Sequence, residues 1–264
     1  MKRPTARWLL AALLASVLLT VVPVVVLTRG EADVDVDALL ADTPQAVDEQ
    51  GRAHLVLSVE IDGDELEIAV DGTGAVDFGE GTGWLNLDLP GTSVELRTNG
   101  ETLFVLPSGQ TTWLAAHADE AAGLGAFATG PSEAIAFVDL LRGATEDVED
   151  VGTEEIDGVE ARHLRLTVDL ATGAGAAGEQ SRPAIEALRA FAADRVLPLE
   201  VWIDDRNLPV RQRVRGEVQG LPVVVTIDLA RWGEPLDVAI PPEGAVRDIE
   251  ADELTRVFGG PPPG

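Results

Sequence analysis

Hydrophobic and polar residues alternate over most of the chain after residue 51, which is the pattern of β-strands with one buried face. In Arg52–Ile61 the apolar positions are Ala53, Leu55, Leu57, Val59 and Ile61. Asp62-Gly63 and Asn99-Gly100 are typical of tight hairpin turns. Further strands are predicted at Leu66–Val70, Leu85–Leu89, Val94–Leu96, Leu103–Leu106, Thr111–Leu114, Leu164–Leu170, Leu197–Ile203, Leu208–Val218 and Leu221–Leu229. Short strands joined by tight turns predict an antiparallel meander.

Helical spacing interrupts this pattern twice. Pro131–Arg142 and Pro183–Ala192 each place apolar residues three or four positions apart, which predicts two amphipathic helices. The acidic stalk 31–42 is expected to become helical near Asp37. Thr43-Pro44 has the form of an N-cap followed by a first-turn proline, so a short helix is expected from there to about Gln50. The Gly/Ala-rich segment Ala171–Gly178 is predicted to be a mobile loop.

The predicted fold class is α+β, with a strongly curved, half-open antiparallel sheet of about 10 to 11 strands and helices on its concave face. A long sheet twists and curls, and two short helices cover only part of one face. Either a cavity or packed side chains can fill the space between them, and the pattern alone leaves both open. The predicted pocket lining is Leu55, Leu57, Leu66, Ile68, Leu85, Leu87, Ile135, Val138, Leu164, Leu166, Ile185, Leu188, Val201 and Ile203.

The N-terminus carries an uncharged run, Trp8–Leu27. At ~1.5 Å per residue such a helix is about 30 Å long, the hydrocarbon thickness of a bilayer. Basic residues precede it, so the positive-inside rule places the N-terminus in the cytoplasm. A cleaved signal peptide is the alternative, although the run is long and no good cleavage site follows. We therefore expect a single-pass anchor in 1–30, an acidic stalk in 31–42, an exported domain in 43–250 and a flexible tail in 251–264.

Composition and motifs argue against several classes of function. The net charge is −27, and all acidic residues follow Gly30, so nucleic-acid binding is not expected. The chain has no Cys, which excludes disulfides and thiol chemistry. No nucleophile elbow or phosphate-binding glycine loop occurs, and His54, His117 and His163 lack zinc spacing. We expect no enzymatic activity, no cofactor and no metal.

Three stretches carry a family resemblance. They are DVGTEEIDGVEARHLRLTVDL (150–170), PLEVWIDDRNLPVRQRV (198–214) and VTIDLARWGEPLDVAIPPEGAVRDI (225–249). Their order and spacing resemble the LppX/LprA/LprF/LprG family of actinobacterial envelope lipoproteins, whose fold is similar to that of LolA-type carriers. The family's usual lipobox Cys is absent here, so residues 8–27 would replace the lipid anchor.

The resemblance implies a lipid-binding protein of the cell envelope, whose partner is an acyl lipid or glycolipid held in an apolar pocket. A 16-carbon chain gains about 13 kcal/mol on leaving water, at ~0.8 kcal/mol per methylene. A membrane offers the same chain a similar environment, so the protein can take up lipid and release it again. The alternatives are an envelope sensor that binds a protein partner through the same fold, and a carrier whose core has become filled.

Overall fold

One wide β-sheet dominates the protein, seen here in a computed structural model that describes residues 35–63, 66–117, 132–141, 145–176, 181–182, 185, 188, 196–218, 220–250 and 253–254. Within these residues twelve strands form a single sheet and only a few helices accompany it, which confirms the α+β class. The strands are β1 Arg52–Gly63, β2 Leu66–Asp77, β3 Thr82–Leu89, β4 Thr92–Thr98, β5 Thr102–Pro107, β6 Trp113–His117, β7 Thr145–Ile156, β8 Val159–Asp169, β9 Val196–Ile203, β10 Pro209–Val218, β11 Leu221–Ala230 and β12 Val246–Asp248. The helices are α1 Val36–Gln50, α2 Ser132–Leu140 and α3 Leu170–Ala176, with a 3₁₀ turn at Glu243–Ala245.

The strand order is β12-β6-β5-β4-β3-β2-β1-β11-β10-β9-β8-β7, so the sheet is open with β12 and β7 at its edges. Two meanders meet at its centre, where β1 pairs with β11 through contacts such as Leu57 opposite Ile227. The antiparallel expectation is wrong at one edge, because β12 pairs with β6 in parallel. This short strand returns after a long connection, which lets it run in the same direction as β6. The count of twelve also exceeds the ten or eleven strands expected.

The alternation of side chains gives the sheet two distinct faces. The core face carries the apolar positions, such as Leu57 and Ile227, which join helix residues in one continuous hydrophobic cluster. The outer face carries the intervening positions, among them Arg211, Arg213 and Arg215 of β10. Two of these arginines pair with acids across strands: Arg211 Nη2 donates to Asp228 Oδ2 at 2.8 Å, and Arg215 binds Glu200.

Helix α1 begins at Val36, next to Asp37, where the acidic stalk was expected to become helical, and it continues through Thr43-Pro44 without a new cap. The carboxylate of Asp35 caps it, since Oδ1 accepts a hydrogen bond of 3.1 Å from the amide of Ala38. Thr43 and Pro44 therefore lie inside the helix, where the Thr43 hydroxyl donates to the carbonyl of Leu39. The early start is stabilised by Leu40, which is buried in the core cluster.

Two loop predictions are also wrong in part. Leu170–Ala176 forms helix α3 where a mobile loop was expected, and Asp169 Oδ1 accepts a hydrogen bond of 2.7 Å from the amide of Thr172 at its start. Strand β1 continues through Asp62-Gly63, where a turn was predicted, because Gly63 still pairs with Leu66. Residues 64 and 65, which connect the two strands, lie outside the described residues.

Other predictions fall partly or wholly outside the described residues. The predicted helix Pro131–Arg142 is confirmed over α2, whereas Pro183–Ala192 is described only at Ile185 and Leu188, both helical. The predicted anchor in 1–30 is not described. In the part that the structure describes, no helix has the length and apolar character needed to cross a membrane. Leu254, in the predicted tail, is helical and fully buried, so the tail is not free from its beginning.

Candidate functional site

The core face gathers almost all of the predicted lining residues. Leu55 and Leu57 lie on β1, Leu164 and Leu166 on β8, and they share one cluster with residues of α2. The other predicted members of that cluster are Leu85, Leu87, Ile135, Val138, Ile185, Leu188, Val201 and Ile203. Each is at most 6% exposed. The sequence thus predicted their common location, while their part in lipid binding stays a prediction.

Two predicted positions differ. Ile68 on β2 is only half-buried and does not belong to the cluster, and the side chain of Leu66 lies outside the described residues. Both positions lie near the β1–β2 turn. At the centre of β2, the core face carries Gly72 and Gly74 instead of large side chains.

The two glycines of β2 make room for the neighbouring strand. A Cβ on Gly72 would lie 2.8 Å from Cδ2 of Leu87, and one on Gly74 would lie 2.3 Å from the carbonyl oxygen of Trp84. Such close backbone approach marks a tight bend in a sheet. Leu85 and Leu87 of β3 therefore lean over β2 on the core face.

Short helices cover the core face in the described residues. Helix α2 packs against α1, α3 and β2, and every side chain from Ala134 to Leu141 is buried. One buried polar contact joins α2 to the segment that follows α3, because the hydroxyl of Ser181 donates to the carboxylate of Asp139. The remaining contacts of this cover are mainly apolar, so they define no fixed polar geometry between the helices and the sheet.

The described side chains of the core face are buried. The low exposure of the predicted lining residues means that they touch other protein atoms over most of their surface. An acyl chain would have to take the place of part of the helical cover to reach Leu57 or Leu166.

A separate cavity of about 550 Å³ opens on the outer face. The sequence pattern gave no sign of it. Val56, Thr73 and Trp84 form its floor on β1, β2 and β3, while Val159 at the start of β8 and Arg206 in the β9–β10 turn border it. Val56 is 50% exposed and Val159 is 40% exposed, which is unusual for large apolar side chains on a sheet. Only the placement of distant turns over β1 creates this site.

The polar groups around this cavity are held by their neighbours. Asp204 Oδ1 accepts hydrogen bonds of 2.9 Å from the amides of Arg206 and Leu208, and Oδ2 binds the Arg206 guanidinium. Burial lowers the pKa of His54, and the charge of Arg231 lowers it further, against an opposing effect of Glu234. His54 is therefore a mainly neutral, polar wall of the cavity at neutral pH.

A second polar cluster crosses the outer face beyond the cavity. His163 Nδ1 lies 3.0 Å from Glu154 Oε1, and its Nε2 lies 3.0 Å from Glu200 Oε2. The His163 ring stacks on Trp202 with a centroid distance of 4.0 Å, and Trp202 Nε1 donates to Glu154 at 2.8 Å. Arg215 binds the other oxygen of Glu200.

The electrostatics of this cluster keep its acids ionised. Hydrogen bonds from Trp202 and His163 lower the pKa of Glu154. Burial raises the pKa of Glu200, but the hydrogen bond and charge of Arg215, with a smaller contribution from His163, outweigh it, so the pKa lies below its ordinary value. Because every partner is satisfied and the residues connect four strands, we interpret the cluster as structural. Among the described residues, no group of His, Cys, Asp and Glu has an arrangement that could hold a metal ion.

Sequence reasoning missed one buried polar residue on the core face. Gln212 of β10 lies opposite Val201 and Ile227 and is only 1% exposed. The sequence contains a signal for this residue, because Gln212 lies between Arg211 and Arg213 at a position where the strand alternation predicts an apolar side chain. Its amide stands out because neither its nitrogen nor its oxygen has a hydrogen-bond partner in the structure.

Fold and site together define an α+β protein with an open sheet, an apolar core face under short helices and a cavity on the opposite face. No family model matches the chain. A Streptomyces griseus protein described as an uncharacterized 31.2 kDa protein in the rplA–rplJ intergenic region is 30% identical over 125 residues, which is 45% of this chain. The chain spans only 39% of that relative's length.

Two solved structures are similar to this chain, and one of them is a lipoprotein. LppX of Mycobacterium tuberculosis has a TM-score of 0.46 and 18% identity, covering 76% of this chain and 98% of its own. LprF of Mycobacterium bovis has a TM-score of 0.44 and 18% identity, covering 78% of this chain and 96% of its own. The likeness to LppX and LprF that the sequence suggested is thus confirmed. At this level of similarity it does not decide what the present chain binds.

Proposed function

We propose that this protein binds acyl lipid on the core face of its sheet, on the outer side of the plasma membrane, where the segment 8–27 anchors it. The observation that supports this most is the extent of the apolar core face compared with its helical cover. Buried side chains of the same cluster run from Leu96 and Val105 on one side of the sheet to Leu164 and Leu199 on the other.

The sheet is open and uncurled, so the strong curvature expected from the sequence is not confirmed. Twelve strands at ~4.8 Å spacing are about 50 Å across, whereas α1, α2 and α3, each ~10 Å in diameter, span about 30 Å of that width. An apolar sheet face that is wider than these helices is where we expect an acyl chain to bind.

The helical cover is suited to displacement. Helices α2 and α3 have nine and seven residues, too short to be stable without their packing partners. Their contacts with the sheet are mainly apolar, and an acyl chain offers the sheet contacts of the same kind. Transfer of a 16-carbon chain from water to the core face releases about 13 kcal/mol, whereas transfer from a membrane releases little, so uptake from a membrane requires a cover that is displaced at low cost.

Native mass spectrometry of the full chain, purified from the membranes of an actinobacterial host, tests this function. We expect bound acyl lipid in stoichiometric amount. Hydrogen exchange with and without added diacylglycerol locates it, because lipid should raise exchange in α2 and α3 and leave β1 and β11 protected. Repeated lipid-free preparations, with no change in exchange on adding lipid, would refute the proposal.

The outer-face cavity supports a second candidate, an envelope sensor that binds a protein partner there. The half-exposed Val56 and Val159 beside Trp84 form an apolar floor with charged residues around it, which is the usual composition of a protein interface. A photo-crosslinker placed at Val56 should capture one stoichiometric envelope protein. Val56→Asp should abolish binding of that identified protein, whereas Ser58→Asp, two residues along the same strand face, should not.

The absence of enzymatic activity, of a cofactor and of nucleic-acid binding stays a prediction, as does the cytoplasmic location of the N-terminus.

A further inference from the structure

Gln212 lies in the apolar interior of the sheet. It faces Val201 of β9 and Ile227 of β11, and Val214 is the next core-face residue on its own strand. These three neighbours are at most 2% exposed, and Gln212 itself is 1% exposed. Val201 is also a predicted lipid contact, so Gln212 sits within the proposed binding face.

The amide of Gln212 leaves a donor and an acceptor without a partner in the structure. Three other buried polar side chains are bonded: Thr43 to a helix carbonyl, Asp204 to turn amides and Glu200 to Arg215. The indole Nε1 of Trp232 is a further buried donor without a partner, but it is a single group, whereas Gln212 leaves both a donor and an acceptor. A buried amide without partners is unfavourable, and native proteins contain few of them. The Gln212 amide therefore needs a hydrogen-bond partner, whereas a leucine or methionine at this position would need none.

We propose that Gln212 is the polar anchor of the lipid site and selects uncharged, ester-linked acyl lipids that carry a free hydroxyl. This inference rests on the proposed lipid-binding function. The side-chain NH₂ donates to an ester carbonyl next to the acyl chain, and the side-chain carbonyl accepts from the hydroxyl. Both unpaired groups are then satisfied by one ligand.

Charge supports the choice of a neutral linkage. The arginines that flank Gln212 in sequence, Arg211 and Arg213, project to the opposite face of the sheet, where Arg211 binds Asp228 and Arg213 lies over Trp202. The register neighbours of Gln212 on the core face are all apolar. A phosphate brought to this position would lack the cationic donors that such a group needs. A hydroxylated ester fits an amide better.

Three probes separate the contributions: dipalmitoylglycerol, its ether-linked dialkyl analogue, which keeps the hydroxyl but lacks the ester carbonyls, and dipalmitoyl phosphatidylglycerol. Binding of each to the full chain in detergent micelles is measured for wild type, Gln212→Leu and Gln212→Met. Val214→Ala is the matched control, because it alters the same face of the same strand without removing a polar group. Urea unfolding of each lipid-free variant is measured in parallel.

We expect wild type to bind the ester about tenfold more tightly than the ether, which corresponds to ~1.4 kcal/mol, and phosphatidylglycerol more weakly than either. In Gln212→Leu and Gln212→Met the ester and ether affinities become equal, the ether affinity stays within about threefold of wild type and the urea midpoint does not fall. Val214→Ala should keep the tenfold ratio.

The outcomes are distinct. Ester preference retained in both Gln212 variants, or a lowered urea midpoint in Gln212→Met, would overturn the anchor and point to a buried water or a protein partner instead. Wild type that binds the lipids without preferring the ester would overturn the anchor alone. Wild type that binds none of the three would overturn the proposed function, and the anchor with it.

Discussion

Nε2 of His163 lies 3.0 Å from Oε2 of Glu200, and this contact joins β8 to β9 on the outer face. Glu154 extends the connection to β7 and Arg215 extends it to β10, so one polar chain crosses four adjacent strands. The His163 ring also stacks on the indole of Trp202, which covers one face of the imidazole. Four strands that follow one another at one end of the sheet are thereby linked by side chains as well as by their backbones.

This chain of contacts makes a pH-dependent contribution to stability. The pKa of Glu200 and that of Glu154 are lowered by folding, so their contribution is complete above the unfolded-state pKa and is lost as pH falls through the lower folded values. Glu200→Gln should reduce the free energy of unfolding at pH 7 by about 1–3 kcal/mol. Urea unfolding should show this deficit shrinking below about pH 4.5, near the unfolded-state pKa of Glu.

Glu160→Gln, an exposed change on β8, is the control and should shift stability by less than about 0.5 kcal/mol. A Glu200→Gln deficit that is the same at pH 7 and pH 3.5 would contradict the linkage.

The close approach of β2 and β3 depends on Gly74. Its Cβ would lie 2.3 Å from a backbone oxygen of Trp84, which cannot move without breaking the strand pair. Gly74→Ala should therefore destabilise the protein by about 1–3 kcal/mol or more, as measured by thermal or urea unfolding. Gly175→Ala in α3, where no atom lies within 4 Å of the new Cβ, should be neutral or slightly stabilising. Equal stability of the two variants would show that β2 and β3 are not in close contact.

The start of the folded domain can be tested at Leu40. This residue is 3% exposed and belongs to the core cluster, whereas a stalk residue would contribute nothing. Leu40→Ala should lower the free energy of unfolding by about 2–5 kcal/mol. The neighbouring exposed change Asp42→Ala should have little effect. If Leu40→Ala leaves the free energy of unfolding unchanged, residues 31–42 are better described as a stalk outside the folded domain.

The turn that borders the outer cavity depends on the carboxylate of Asp204. Asp204→Ala removes the acceptor of two backbone amides and should destabilise by about 2 kcal/mol. Asp204→Asn keeps one carbonyl oxygen and should lose less than half of that. If urea unfolding gives the same loss for both variants, the charge rather than the amide contacts carries the effect, through the Arg206 pair.

Much of the local structure follows from the sequence. Alternation predicted β1, β9 and the inward direction of Val201 and Ile203, and helical spacing predicted α2. The start of α1 near Asp37 was expected, but the separate N-cap at Thr43 was wrong. Asp35 and Thr43 are both good N-caps, and the burial of Leu40 favours the earlier one. Helix α3 was missed because Gly and Ala carry no periodic pattern.

The sequence by itself determined which side of each strand is apolar, because alternation is a property of neighbouring residues. Only the tertiary structure decided which strands meet, as in the pairing of β1 with β11 and of β12 with β6, since backbone hydrogen bonds are the same for any pair of strands. The same long-range pairing enclosed Gln212 among Val201 and Ile227 and brought His163 to Glu200. Residues far apart in the chain acquire their environment only through that pairing. The sequence therefore did not show which residues surround Gln212 or which acids contact His163.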